Sequence, residues 1–349
     1  MESGRDALAG RIPVTLLTGF LGAGKTTLLA KLVRHPDMNR VAVVINEVGE
    51  IGIDHDLVAM SSENVALLAN GCLCCSVRTD LQDTLRELFG QRRAGAIPDF
   101  DRVVIETTGL ADPAPVVQTL AGDTMLAAHY RLDGVVTLVD AVNGPGQLQR
   151  QPEAVKQVAL ADRVFVTKSD IAPADQVQQL QAAIAALNPG VRVSLLVKGE
   201  IAPGELTNLG LASARAGAQT LSFLGEPLAG EGGQGERTLR RTPAHDSAIR
   251  TLSLRFEQPF TWTAFSAAIE LLASLRGPDL LRVKGIVNVE GRPVVVQGVQ
   301  HVFHEPVALD RWPSADTGTR LVFITRNIEA ATIRNLLQAV AAAAGGGSA

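Results

Sequence analysis

Residues Gly19-Phe20-Leu21-Gly22-Ala23-Gly24-Lys25-Thr26 fit the spacing G-x-x-x-x-G-K-[ST] in full. They stand directly after the β-branched run Val14–Thr18 and directly before the helical period Thr26–Val33. A strand that turns through glycines into a helix aims backbone N–H groups at one point outside the helix, where the dipole favours an anion. The backbone from Gly19 and from Gly22, Ala23, Gly24, Lys25, Thr26 and Thr27 is therefore expected to surround nucleotide phosphates. Lys25 would neutralise the β and γ oxygens, and the Thr26 hydroxyl would ligate Mg²⁺.

Such a loop needs a strand–helix framework, and the sequence supplies one from about Pro13 to Ala202. Val14–Thr18, Val41–Asn46, Val65–Leu68, Val103–Glu106, Val135–Asp140, Val164–Thr167 and Val191–Leu196 read as strands. Between them Thr26–Val33, Thr79–Phe89, Pro115–Leu120 and Ala174–Leu187 carry helical periodicity. The alternation predicts an α/β fold, a P-loop NTPase domain with a mostly parallel sheet. The Gly-rich AGEGGQGE from Ala229 and the polar, basic Arg237–Asp246 then read as a linker. Beyond it, strands at Ala248–Phe256, Leu281–Val289, Arg292–Val299, Val302–Pro306 and Arg320–Thr325, with helices at Thr261–Ser274 and Ile328–Ala343, predict a smaller C-terminal α+β domain. The expected division is a tail at 1–11, the P-loop domain at 12–212, a flexible linker at 213–246, the second domain at 247–343 and a disordered tail at 344–349.

Two further elements belong with the P-loop. An acidic residue ending a buried apolar strand is expected on the metal side, and Val103-Val104-Ile105-Glu106 supplies it. Glu106 would hold Mg²⁺, and Gly109 would offer its N–H to the γ-phosphate, making Glu106–Pro113 a nucleotide-sensitive switch. Downstream, Thr167-Lys168-Ser169-Asp170 stands where a GTPase carries Asn-Lys-x-Asp. Asp170 can accept from the N1–H and exocyclic amine of guanine, a pair that adenine does not offer, while the Lys168 stem covers the ring. Thr167 in place of Asn is a departure that leaves Asp170 as the discriminating residue.

All three cysteines, Cys72, Cys74 and Cys75, fall within four residues. An odd, clustered set does not build a disulfide framework and points to metal or redox chemistry. Following the strand Val65–Asn70 and preceding a helix near Thr79, the thiols are expected at a strand-to-helix turn, where their pKa falls. Three thiolates suit Zn²⁺ or another soft metal and leave a tetrahedral site one ligand short. The acidic loop Asn46–Asp54 offers Glu47, Glu50 or Asp54 for that position and could also act as a first switch.

Composition excludes other classes. With 349 residues, 46% apolar and 19% charged, the chain is a folded protein of about two domains. Its 32 basic and 36 acidic residues give a net charge of −4, too little positive charge for a general nucleic-acid binder. No run of 18 apolar residues suggests a membrane span, and the start MESGRDALAGRIPV has neither the basic nor the apolar region of a signal peptide. A cytoplasmic location is expected. His301 and His304, three apart on an expected strand, face opposite ways and cannot share a metal without a bend.

Taken together, GFLGAGKTT, INEVGEIGID, GCLCC, VVIETTGLADP, TKSD and LRVKGIVNVEGRPVVVQGVQHVF resemble the CobW family of metallochaperone GTPases, relatives of UreG and HypB. The resemblance runs from about Ile12 to about Val340, excluding the linker. It implies a cytosolic GTPase that binds Zn²⁺, or Co²⁺, Ni²⁺ or Fe²⁺, at the cysteine motif and hands it to a client metalloprotein under control of GTP. It also implies that Cys75 to Thr79 link metal and phosphates, and that the C-terminal domain faces the client or regulates. The chain carries no His-rich tract between its domains, which leaves zinc the leading metal.

On this reading metal and GTP–Mg²⁺ bias the same two loops, Asn46–Asp54 and Glu106–Pro113. No Gln or Arg finger is evident in the chain, so slow intrinsic hydrolysis, raised by client or metal, is expected. A second copy of the chain is carried as a further candidate partner. Two other classes stay open at this point: an ATP-dependent small-molecule kinase with structural cysteines, and a metal buffer or sensor indifferent to nucleotide.

Overall fold

The computed structural model describes residues 10–38, 40–45, 58–62, 65–68, 73–76, 80–206, 209 and 249–345, with backbone alone at 58–62, 65–68, 73–76 and 342–345. The expected linker at 213–246 and the acidic loop with Glu47 and Glu50 lie outside the described residues, as does Cys72. The chain divides into two compact units. One takes in the described residues of Leu8–Ala182 and Arg192–Gly210, the other those of Ala183–Val191 and Leu211–Ala349.

The first unit is built on a nine-stranded sheet. In chain order its strands are β1 (Ile12–Gly19), β2 (Val41–Ile45), β3 (Val58–Ser62), β4 (Val65–Leu68), β5 (Leu73–Ser76), β6 (Arg102–Glu106), β7 (Tyr130–Asp140), β8 (Arg163–Thr167) and β9 (Arg192–Leu196). They lie in the order β3-β4-β5-β2-β6-β1-β7-β8-β9. From β5 to β9 all neighbours are parallel, whereas β4 runs antiparallel to both β3 and β5. Strands β2, β6 and β8 are buried almost end to end, as expected of a sheet covered on both faces.

The helices are α1 (Lys25–Leu32), α2 (Leu81–Arg93), α3 (Ala114–Gly122), α4 (Thr124–His129), α5 (Gly144–Arg150), α6 (Pro152–Leu160) and α7 (Ala174–Leu187). Leu28, Leu29 and Leu32 of α1 pack on Leu17, Val43 and Val104 of three central strands. Asp80 caps α2 by accepting from the Gln82 N–H at 2.9 Å, and Asp123 caps α4 from Leu126 at 2.8 Å.

Two strands of this sheet, β3 and β5, are additional to the sequence reading, and β5 corrects it. The thiols were expected at a strand-to-helix turn, but Cys74 and Cys75 lie within β5, in register with Val43 and Val44 of β2. The four residues Leu-Cys-Cys-Ser carry too little β-branched character to read as a strand. They are one because pairing with β2 and β4 on either side satisfies their backbone groups. Helix α2 starts later than expected, at Leu81.

Chain order makes β1 the switch point of the sheet. The chain moves to one side of β1 for β2 and β6, then crosses to the other for β7, β8 and β9. In such sheets the crevice outside the carboxyl ends of the strands at this point takes the ligand.

The second unit is an antiparallel sheet of β10 (Ile249–Phe256), β11 (Arg282–Val289), β12 (Arg292–Val299), β13 (Val302–Phe303), β14 (Val307–Ala308) and β15 (Thr319–Arg326), ordered β10-β15-β11-β12-β13 with β14 on β12. Helices α8 (Trp262–Arg276) and α9 (Ala330–Gly345) bury Phe265, Leu272, Ile333 and Leu337 against Leu321 and Phe323. The expected α+β arrangement is met. The hairpin β11–β12 turns on Glu290 and Gly291, both at positive φ of 53° and 89°, the geometry of a type I′ turn.

Gly285 of β11 permits a close approach to β15. A Cβ there would stand 2.1 Å from the Arg320 carbonyl oxygen of β15. Gly285→Ala should destabilise this unit by about 1–3 kcal/mol, read as a lower midpoint in denaturant unfolding.

Candidate functional site

The carboxyl edge of the first unit's sheet brings together every phosphate- and base-side residue expected from sequence that the structure describes. β1 ends at Gly19, whose φ of 147° and close approach to the Leu138 carbonyl of β7 exclude a side chain. Gly24 forms the N-cap of α1 in the left-handed region at φ 94° and offers no side chain to the helix N–H groups. The helix donors are thus uncapped, and a Cβ on Gly22 would meet nothing within 4 Å, but the Ala23 N–H, expected among the phosphate donors, is instead given to the Phe20 carbonyl at 3.1 Å. Such an open cradle of N–H groups fits a phosphate chain. The Lys25 ammonium spans the loop and donates to the Gly19 carbonyl at 2.9 Å, while Thr26 and Thr27 are exposed at the start of the helix.

Glu106 closes β6, 1% exposed, paired in register with Leu17 of β1 and Ile45 of β2. The next residue ties the strand to the P-loop strand. Thr107 donates its N–H to the Leu17 carbonyl at 3.0 Å and its hydroxyl to Thr18 Oγ1 at 2.8 Å. Gly109 then lies so close to the P-loop that a Cβ there would stand 2.6–2.9 Å from atoms of Leu21. Glycine is thus required for the loop to rest on the P-loop.

The Thr167–Asp170 element follows β8. Thr167 is buried, and its hydroxyl donates to the Ala23 carbonyl of the P-loop at 2.9 Å. The threonine that departs from the Asn-Lys-x-Asp pattern thus ties this element to the P-loop. Lys168, at φ 56°, donates to Asp140 Oδ2 at 2.6 Å, and Asp170 is exposed.

Asp140 escaped the sequence reading. It is fully buried at the end of β7 and accepts from Lys168, the Asn143 side chain and the N–H groups of Val142 and Asn143. Burial alone would raise its carboxyl, but these hydrogen bonds, led by Lys168, hold it below the ordinary carboxylate value of 3.8. The signal was present: like Glu106, it is an acid ending a buried apolar strand. Gln157 of α6 was missed too. Its buried carboxamide reaches the carbonyls of Gly109 and Ala111, and its trace is one polar residue on the apolar face of Ala154, Val155 and Val158.

On the β5 side the register places Ser76, Ile45, Glu106 and Leu17 in one row across β5, β2, β6 and β1, with Cys75 in the row below. At about 4.8 Å between strands, the backbone of β5 runs about 10 Å from that of β6.

The chain belongs to the CobW/HypB/UreG family. The model of its nucleotide-binding domain matches residues 13–194, and the model of the cobalamin synthesis protein CobW C-terminal domain matches 249–341. It is 34% identical over 322 residues to the zinc chaperone YjiA of Escherichia coli, covering 90% of this chain and 93% of that protein. To the zinc chaperone CobW of Pseudomonas aeruginosa it is 32% identical over 354 residues, covering 94% and 91%. The crystal structure of the Zn(II)-bound YjiA GTPase from E. coli superposes with a TM-score of 0.73 at 31% identity, over 95% of this chain and 99% of that one.

Two outcomes follow from the ties at this edge. Thr167→Val leaves the Ala23 carbonyl without its donor; it should cost about 1–3 kcal/mol in denaturant unfolding and weaken GDP and GTP binding together. Asp140 is ionised more readily in the folded chain than unfolded, so its contribution is present above 3.8 and fades as pH falls below that value. Asp140→Asn should therefore be less stable at neutral pH, with the gap to wild type narrowing below about pH 4 in a series of unfolding curves.

Proposed function

We propose that this chain is a GTP-hydrolysing metallochaperone that carries Zn²⁺, or a similar divalent ion, on Cys72, Cys74 and Cys75 and passes it to a client metalloprotein as GTP is turned over. The observation that carries this reading is the shared strand edge. The strand bearing Cys74 and Cys75 and the strand ending in Glu106 both pair with β2, which supports a coupling between the two. Three thiolates with a carboxylate from Glu47 or Glu50 make a soft donor set suited to zinc. The names of the relatives, zinc chaperones and a zinc-regulated GTPase metalloprotein activator from Schizosaccharomyces pombe, agree with it.

In the reaction a water oxygen attacks the γ-phosphorus in line with the bond to the β-phosphate bridging oxygen, giving GDP and inorganic phosphate. Backbone N–H groups of Gly22 and of Gly24 to Thr27 hold the phosphate chain, and the Lys25 ammonium neutralises β and γ oxygens. The Gly109 N–H senses the γ-phosphate, and Asp170, with Lys168 set by Asp140, selects guanine. Mg²⁺, which Thr26 and Glu106 would hold, supplies further charge neutralisation on the phosphates. Among the described residues no helix is long and apolar enough to cross a membrane. A cytoplasmic location goes with this reading.

Titrating Zn²⁺ against a competing chelator with GTP, GDP or no nucleotide tests the coupling. Wild type should bind zinc with an affinity that differs about 5- to 150-fold between GTP and GDP, and the Cys72→Ser/Cys74→Ser/Cys75→Ser protein should lose the site. Zinc affinity that ignores nucleotide would make the chain a metal buffer. Binding that survives loss of all three thiols, with ATP preferred, would favour the small-molecule kinase.

A further inference from the structure

Helix α6 presents two neighbouring side chains to the loop that carries Gly109. Gln157 is 1% exposed, and its Nε2 donates to the Gly109 carbonyl at 3.1 Å and the Ala111 carbonyl at 3.0 Å, on either side of the exposed Leu110. Its own backbone carbonyl accepts from Thr137 Oγ1 of β7 at 2.8 Å, which registers this part of the helix on the central sheet. Next to it, Lys156 Nζ meets Asp112 Oδ2 at 3.0 Å, and the other oxygen of Asp112 accepts from the Ala114 N–H as α3 begins. The loop is thus gripped at Gly109, Ala111 and Asp112 from one side, while Gly109 rests against Leu21 on the other.

The carboxamide uses only one of its ends. Gln157 Oε1 is buried with no hydrogen-bond partner among the described residues, and Gln157 lines a small cavity with Phe20, Thr137, Gly144 and Gln147. A buried amide with an unmade acceptor is a worse core residue than leucine or methionine, which would fill the space with nothing left unsatisfied. Packing therefore does not account for a glutamine here; the two donors do.

We propose that Gln157 is the positioning residue for nucleotide discrimination. By holding the carbonyls of Gly109 and Ala111 it keeps the loop seated on Leu21, so that the Gly109 backbone is already in place at the P-loop rim when a γ-phosphate arrives. A nucleoside triphosphate then gains a contact that the diphosphate cannot make, without first having to order the loop. Lys156 supports the same seating through Asp112. This inference rests on the GTPase reading above.

The test uses the full chain with Gln157→Met, which keeps length and removes both donors, and separately Lys156→Met at a partly exposed position. Affinities for GDP and for a non-hydrolysable GTP analogue are measured beside single-turnover GTP hydrolysis, with thermal unfolding as the folding control. In Gln157→Met, GDP affinity should stay within about twofold of wild type while the analogue weakens about tenfold and hydrolysis slows. Lys156→Met should shift the same ratio in the same direction by less. Equal weakening of both nucleotides, or an unchanged ratio, overturns the proposal; if Gln157→Met does not fold, an unchanged ratio in Lys156→Met overturns it alone. Wild-type protein that neither prefers GTP to GDP nor hydrolyses GTP would instead refute the GTPase reading.

Discussion

The site rests on a single backbone manoeuvre: β1 has to stop at Gly19 and resume six residues later as α1, with Gly24 left-handed at the join. A side chain at φ 94° costs on the order of 1–2 kcal/mol, and a Cβ at Gly19 would run into the Leu138 carbonyl. Once the turn is made, the first N–H groups of α1 have no intrahelical partners and no capping side chain to satisfy them. They are left for water or for an anion. Burial of Leu28, Leu29 and Leu32 beneath the helix holds in place the element that presents these groups.

Around that turn, three short polar side chains tie one strand end or loop to the next. Thr107 bonds Thr18, Thr167 bonds the Ala23 carbonyl, and Gln157 bonds Gly109 and Ala111. Each bond contributes about 1 kcal/mol when made and more when a buried partner is abandoned. Their larger effect is geometric. The carboxyl ends of β1, β6 and β8 come from distant parts of the chain, and without such ties their loops would sample positions independently. Preorganisation of this kind lets binding free energy discriminate between ligands instead of ordering loops.

Much of this could be read from the residues because the chemistry is local. The P-loop declares itself through glycine spacing next to a β-branched run, and Glu106 through an acid that closes an apolar strand. The hairpin at Glu290 and Gly291 declares itself through a glycine between two apolar stretches. What could not be read is set by long-range pairing. The residues Leu73–Ser76 become a strand because β2 and β4 flank them, which nothing in their composition announces. Helices α5 and α6, opening with Gly-Pro-Gly and with Pro152, resemble turns, since proline punctuates sequence yet also suits the first positions of a helix. Gln157 and Asp140 acquire their roles only once α6 and the end of β7 are folded against loops from elsewhere in the chain.

On the proposed reading, the sheet gives metal and nucleotide one strand in common. β2 is shared: one edge pairs with β5, which carries Cys74 and Cys75, and the other with β6, which ends in Glu106. In register, Cys75 stands beside Val44 and Val44 beside Ile105, one row below the row that holds Glu106; on that reading a metal at Cys75 and a nucleotide at Glu106 would bias the same strand. Coupling of this sort is reciprocal by thermodynamic necessity: if a bound γ-phosphate alters metal affinity, bound metal alters the preference for GTP by the same factor. A chain that releases its ion only after hydrolysis must therefore also bind GTP more tightly when loaded. On the proposed reading, loading and nucleotide selection would then be two readings of one equilibrium, with β2 as the strand that both sites share.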